Sequence, residues 1–166
     1  VNHLGGISIA ATRTRAKADD LKKQGAQHVI VSDEEDLAAR VMEITGGKGA
    51  RVTFDPAAGP MLMKLAEAAA PGGIIIEYGA LSPEPTPYPL FASIGKGLTI
   101  RGYTLFEFIP VREKAEAGAK FIYDGFAKGA FKPLVSKVFE LADIVDAHRY
   151  LEGNTQMGKV VVTAKG

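Results

Sequence analysis

The stretch RVTFDPAAGPMLMKLAEAAAPGGIIIEYG, residues 51–79, decides the fold. Residues 51–55 read as a strand, and Pro56 and Gly59 end it. Residues 61–70 read as a helix, because Leu62, Leu65, Ala66 and Ala69 share one face at helical spacing. Pro71-Gly72-Gly73 breaks that helix. Residues 74–78 then form a second strand, apolar over Ile74-Ile75-Ile76 as a strand buried on both faces would be. Strand, crossover helix and strand make a βαβ unit, whose two strands run parallel.

The same alternation extends outward in both directions. Towards the N-terminus, residues 7–12 (ISIAAT) and 28–31 read as strands. Residues 17–24 form a helix closed by Gly25. A second helix starts at Asp33 as its cap and runs to about residue 45, with Leu37, Val41 and Ile44 on one face. Towards the C-terminus, Pro83, Pro85, Pro87 and Pro89 mark a loop that cannot be regular. Strands follow over 98–105, 135–139 and 159–163, and helices over 112–128 and 144–152. The pattern predicts an α/β fold with a doubly wound, mostly parallel sheet, in one domain spanning 1–166.

Composition narrows the function. Twenty Lys and Arg against nineteen Asp and Glu leave a net charge of +1, which does not point to nucleic acid or an anionic membrane. No Cys is present, and His3, His28 and His148 lie far apart, so this chain is expected to bind no zinc or other metal itself. No apolar run approaches the ~20 residues that cross a bilayer. The opening Val1-Asn2-His3-Leu4 has neither a Met nor a signal-peptide pattern, so a cytoplasmic location and a start inside a longer chain are expected. There is no GxSxG, HExxH or P-loop. None of the five Tyr has a Lys four residues on, as a short-chain dehydrogenase would need.

In parallel α/β sheets ligands bind beyond the carboxyl ends of the strands. After the first strand comes Thr12-Arg13-Thr14-Arg15-Ala16-Lys17, with no acid before Asp19. In dinucleotide folds an acid at the second strand end selects NAD, whereas Arg accommodates the 2′-phosphate of NADP. Arg suits phosphate because its planar fork donates two parallel hydrogen bonds. Small residues follow the next strand ends, in Asp55-Pro56-Ala57-Ala58-Gly59 and Tyr78-Gly79-Ala80-Leu81, and they let a flat ring approach the backbone. Asp55 before Pro reads as a turn residue before it reads as a catalytic acid. Tyr88, Phe91, Phe106 and Phe108 read first as core, with a pocket wall as the alternative.

The stretches ATRTRAKADDLKKQGAQHVI, ITGGKGARVTFDPAAG, LAEAAAPGGIIIEYGAL, KGLTIRGYTLF and VFELADIVDAHRYLEGNTQMGKVVV span nearly the whole chain. In that order they resemble the cofactor domain of the medium-chain dehydrogenase/reductase superfamily, on its quinone oxidoreductase and zinc-type alcohol dehydrogenase side. The resemblance implies a Rossmann-like fold and NAD(P)H-dependent hydride transfer to or from a carbonyl, an alcohol or an activated double bond. It implies a dinucleotide cofactor, NADP(H) in view of the basic strand end, and a small-molecule substrate for the whole enzyme; the absent central strand favours a homo-oligomer. It places Arg13, Thr14 and Lys17 around the adenosine 2′-phosphate and Ser32 near the adenine. Gly59 would pass close to the cofactor, and Gly79 and Ala80 would face the nicotinamide. The backbone of Tyr103, Thr104 and Leu105 would meet the carboxamide. No residue of this chain is assigned a catalytic role.

The chain departs from the family in lacking the catalytic domain, the first strand and its Gly-rich pyrophosphate turn. Gly5-Gly6 precedes a strand and reads as a helix terminator. The last segment, about 135–166, would pack towards the missing catalytic domain. The first strand is central in the family's sheet, so its two neighbours here should pair directly, accept a strand from another chain, or keep open edges. Two readings follow: part of an NADP(H) site of an oxidoreductase, inactive alone, or a non-catalytic oligomerising module. A methyltransferase, also doubly wound, would need a Gly-rich first turn and an acid at the second strand end for the cofactor ribose, and here that end is basic.

Overall fold

The computed structural model describes residues 1–153 and 155–164, so the segment expected over 135–166 is described apart from Asn154, Lys165 and Gly166. In chain order the elements are β1 (Ile9–Thr12), α1 (Ala18–Lys23), β2 (His28–Val31), α2 (Leu37–Ile44), β3 (Ala50–Asp55), α3 (Met61–Ala68) and β4 (Ala69–Glu77). There follow α4 (Leu90–Lys96), β5 (Thr99–Gly102), α5 (Arg112–Ala127), β6 (Val135–Glu140), α6 (Ile144–Glu152) and β7 (Lys159–Thr163). Every described ladder is parallel: β1 with β2, β3 with β4 with β5, and β6 with β7. The chain forms two compact units, Val1–Ala115 and the residues from Glu116 onward.

In the first unit, α3 lays Leu62 and Ala66 against Ile75 of β4, with Leu65, Ala92, Leu98 and Ile100 packed around them. Ile75 has no exposed surface, and burial of such a side chain contributes about 1.5–3 kcal/mol. A second cluster joins Ile30 of β2, Leu37 and Val41 of α2 and Ala68 of α3, with Ile9 of β1 and Ala50 of β3 against it. These side chains bridge the two sheets of the unit where no strand does. Of the three outcomes expected for β1 and β3, direct pairing does not occur: among the described strands β1 pairs with β2 alone and β3 with β4 alone. Within the described residues both edges are unpaired. Their residues are mostly half-buried or exposed, so water can reach the unpaired groups and the penalty of a buried orphan is avoided.

Several local expectations change. Asp36 caps α2, not Asp33: its Oδ1 accepts from Ala39 N at 3.0 Å, while Glu34 N and Glu35 N fold back onto Val31 O. Pro71-Gly72-Gly73 lies inside β4, because Ala50 pairs with Ala69 and Val52 already with Ile74, which leaves residues 70–73 as a bulge. Ile74 and Ile76 are half-buried, not fully covered, and Val52 and Phe54 beside them on β3 are exposed. β5 stops at Gly102, and Leu105–Glu107 forms a 3₁₀ turn instead of continuing the strand. Helix α4, seven residues long, stands where only a loop and a strand were expected. Gly5 ends a short 3₁₀ turn with φ 75°, the terminator expected there.

In the second unit, β6 and β7 pair from Val135 to Glu140. Tyr150 of α6 bonds Ser136 Oγ at 2.9 Å and packs on Phe139 at 5.9 Å between ring centroids.

Candidate functional site

The ends of β1 and β2 form the first part of the site. Thr12 and Val31 are register partners, and the ladder runs one step further, since Ser32 N donates to Thr12 O at 2.8 Å. Asp33 N donates to Arg13 O at 3.4 Å, so buried Ser32 lies beside exposed Arg13 and Thr14. Thr14 is extended (φ −119°, ψ 151°) and leads into the 3₁₀ turn Arg15–Lys17, which feeds α1. The structure therefore gathers Arg13, Thr14 and Ser32 at one sheet end, with half-buried Lys17 one turn on.

Sequence reasoning missed the acid across from this cluster. Glu34 reaches over from the β2 end and forms an ion pair with Arg15. The hydrogen bond and charge of Glu34 hold the Arg15 guanidinium above its ordinary pKa. Arg15 is thereby engaged in an ion pair at this strand end.

The ends of β3, β4 and β5 form the second part. Asp55 is 3% exposed, and its carboxylate accepts from Ala57 N at 2.8 Å and Ala58 N at 3.2 Å. It is a turn residue, as its place before Pro56 implied. The turn carries Ala58 at φ 55° and Gly59 at φ 64°, and Ala58 is the one left-handed non-glycine among the described residues. The 56–59 loop interlocks with the segment after β4. Tyr78 N donates to Asp55 O (3.0 Å), Leu81 N to Pro56 O (3.2 Å), Ser82 N to Ala57 O (2.9 Å) and Gly59 N to Thr86 Oγ1 (2.9 Å).

This interlock gives Gly59 and Gly79 a reason that needs no ligand. A Cβ on Gly59 would stand 2.3 Å from Ser82 Oγ, and one on Gly79 would stand 2.5 Å from Pro56 O. Gly79 and Ala80 do present an exposed surface at the end of β4.

The segment after β5 is largely self-bonded. Tyr103 N donates to Glu77 O at 2.8 Å, and Thr104 N donates to Glu107 Oε1 at 3.3 Å. Thr104 Oγ1 accepts from Phe106 N, which completes a capping box. Leu105 O accepts from Phe108 N and Ile109 N. A carboxamide contacting Thr104 N–H or Leu105 O would have to compete with these bonds.

Glu77 was not foreseen. It stands in register with Asp55 on one side and Gly102 on the other. Neither of its carboxyl oxygens has exposed surface or a hydrogen-bond donor. Burial, then the charge of Asp55, push its pKa from the ordinary 4.5 up to about 7. The one hint in the sequence is an acid closing the apolar run Ile74-Ile75-Ile76.

The aromatic residues read as core are not core. Tyr88 is 62% exposed, Phe91 88% and Phe106 76%, and Phe108 is exposed as well. Tyr88 and Phe91 instead line a surface cavity of about 450 Å³ with Met63, Glu67, Pro89, Leu90 and Ala92, and none of the strand-end residues takes part in it. Among the described residues no three His, Asp or Glu gather as a metal would need, and no helix is long and apolar enough to cross a membrane.

The zinc-binding dehydrogenase family model matches residues 24–162. The chain is 31% identical over 162 residues to a 2-haloacrylate reductase of a Burkholderia species, covering 96% of this chain and 49% of that protein. It is 30% identical over 158 residues to quinone oxidoreductase 1 of Escherichia coli K12, covering 93% of this chain and 48% of that protein. A mycobacterial protein solved in complex with NADPH superposes with a TM-score of 0.85 at 28% identity, over 97% of this chain and 51% of that one. The chain thus spans about half the length of the curated relatives it matches. Its parallel α/β architecture and its match to the family model over most of its length agree, and the chain belongs to the zinc-binding dehydrogenase family of the medium-chain dehydrogenase/reductase superfamily, with the Rossmann-like fold of that superfamily.

Proposed function

We propose that this chain is the NADP(H)-binding domain of an oxidoreductase that moves hydride to or from a carbonyl, an alcohol or a quinone or enone. The observation that carries the reading is the end of β1, where Arg13 and Thr14 lie beside Ser32, Lys17 follows one turn on, and no acid precedes Asp19. These residues fit a phosphate. Arg13 supplies the forked donor, Lys17 a second cation, and Thr14 and Ser32 supply hydroxyls. When bound, the nicotinamide supplies or takes up the hydride. The chain's own part is to bind the adenosine end, and to present the nicotinamide over exposed Gly79 and Ala80 beside the 56–59 loop. The NADPH-bound neighbour and the reductase relatives support the reading.

The test is calorimetric titration of the chain with NADPH and with NADH. NADPH should bind in preference, and Arg13→Ala should weaken NADPH much more than NADH. Equal weakening of both would remove the phosphate role. A second reading, a non-catalytic module that associates through its sheet, is favoured by the open edges of β1 and β3. Failure to bind either dinucleotide would support it.

A further inference from the structure

Two carboxylic acids, Asp55 and Glu77, stand in register at the ends of β3 and β4. Asp55 is buried, and its carboxylate accepts two backbone N–H bonds that hold the turn through left-handed Ala58. Those bonds require Asp55 to be an acceptor. Glu77 stands beside it in register, with both oxygens removed from water and no donor in reach. Two ionised carboxylates cannot bond to each other and repel, so such a pair is stable only with a proton between them. Since Asp55 is committed as acceptor, the proton belongs on Glu77, which can then donate to Asp55.

We propose that Asp55 and Glu77 share a single proton and act as a positioning pair that holds the 56–59 and 78–86 loops in their interlocked arrangement. The pair touches both loops: Asp55 bonds the first directly, and Tyr78, next to Glu77, donates from its backbone to Asp55 O. The elevated pKa of Glu77 agrees with the geometry and places loss of the proton near neutral pH.

Among the described residues no cation partners Glu77. Asp55 on β3 is the charge that acts on Glu77. On β5 the register partner is Gly102, and neighbouring Arg101 pairs with Glu107. On α3 the charged residues are Lys64 and Glu67, both exposed. Lys96 of α4 caps the far end of α3 through Ala66 O, Glu67 O and Ala69 O. Loss of the proton to solvent therefore leaves two facing anions, and the strain falls on the Asp55 turn. The arrangement stands whether or not the chain binds NADP(H).

The experiment is an NMR titration of the labelled chain without cofactor, between about pH 5 and about pH 9, which brackets the ordinary and the raised value. It follows the Glu77 side-chain carboxyl carbon and the amides of Ala57, Ala58 and Gly79. The carboxyl should titrate near 7, and the three amides should move with the same midpoint. In Glu77→Gln, which keeps a donor but cannot ionise, the amides should hold their low-pH positions throughout. A Glu77 midpoint in the ordinary carboxylate range would overturn the shared proton. Amides that ignore the Glu77 titration would overturn the positioning role. Should Glu77→Gln fail to fold, the titration of the unaltered chain decides both points.

Discussion

Gly79→Ala separates two reasons for a glycine at the end of β4. If Gly79 serves only to let a cofactor ring approach, a methyl group there should leave the free protein as stable as before. The structure gives a different answer. Gly79 does not have positive φ, so alanine adds no backbone strain. Its Cβ would instead stand 2.5 Å from Pro56 O and 3.2 Å from Pro56 C and Cα. These are backbone atoms of an interlocked loop and cannot rotate away. Overpacking of this kind costs about 1–3 kcal/mol. If the loop moves, the Leu81 N to Pro56 O bond goes too, worth a further ~1 kcal/mol. The expected loss is about 2–4 kcal/mol. Gly95→Ala in α4 of the same unit is the control: a Cβ there meets nothing within 4 Å, and alanine in a helix should stabilise by about 0.5–1 kcal/mol. Urea denaturation of both variants without cofactor reads the difference. A Gly79→Ala chain as stable as the original would refute the packing argument and return that glycine to the ligand.

Other outcomes follow from the same geometry. Glu77 has a folded pKa above its unfolded one, so the folded state holds the extra proton. The stability this contributes is full below about 4.5 and is lost as pH rises to about 7. The loss is about 3 kcal/mol at most, less for the hydration a half-buried residue keeps, and Glu77→Gln should flatten this part of the pH–stability curve. Glu34→Gln should tighten NADPH binding severalfold by releasing Arg15 from its ion pair, with NADH unaffected; an unchanged NADPH affinity would mean Arg15 does not reach the phosphate. The open edges of β1 and β3 should make the isolated chain associate with rising concentration, and sedimentation showing a monomer at every concentration would count against that.

Much of the fold was legible because it is local. Asp55 reads as a turn residue from its place before Pro56, since its partners are two and three residues away. Strand ends carrying Arg13, Gly59 and Gly79 follow from alternating period and punctuation. The cap of α2 was misplaced by three residues because Asp33 and Asp36 both satisfy the same rule, and only the turn back onto Val31 O chooses between them. Helix α4 escaped because seven residues after a Pro-rich run show too little periodicity.

The sequence by itself determined the βαβ order, the parallel class and the basic end of β1, because each depends on side-chain periodicity or on neighbours within a turn. Tertiary structure decided the rest. Strand register carries Glu77 to Asp55 across 22 residues, and the turn after β2 carries Glu34 to Arg15 across 19. Burial of the aromatic side chains and of Ile74 and Ile76 depended on which faces other elements cover. Pairing partners and covered faces are properties of the packed sheet, and no local pattern encodes them.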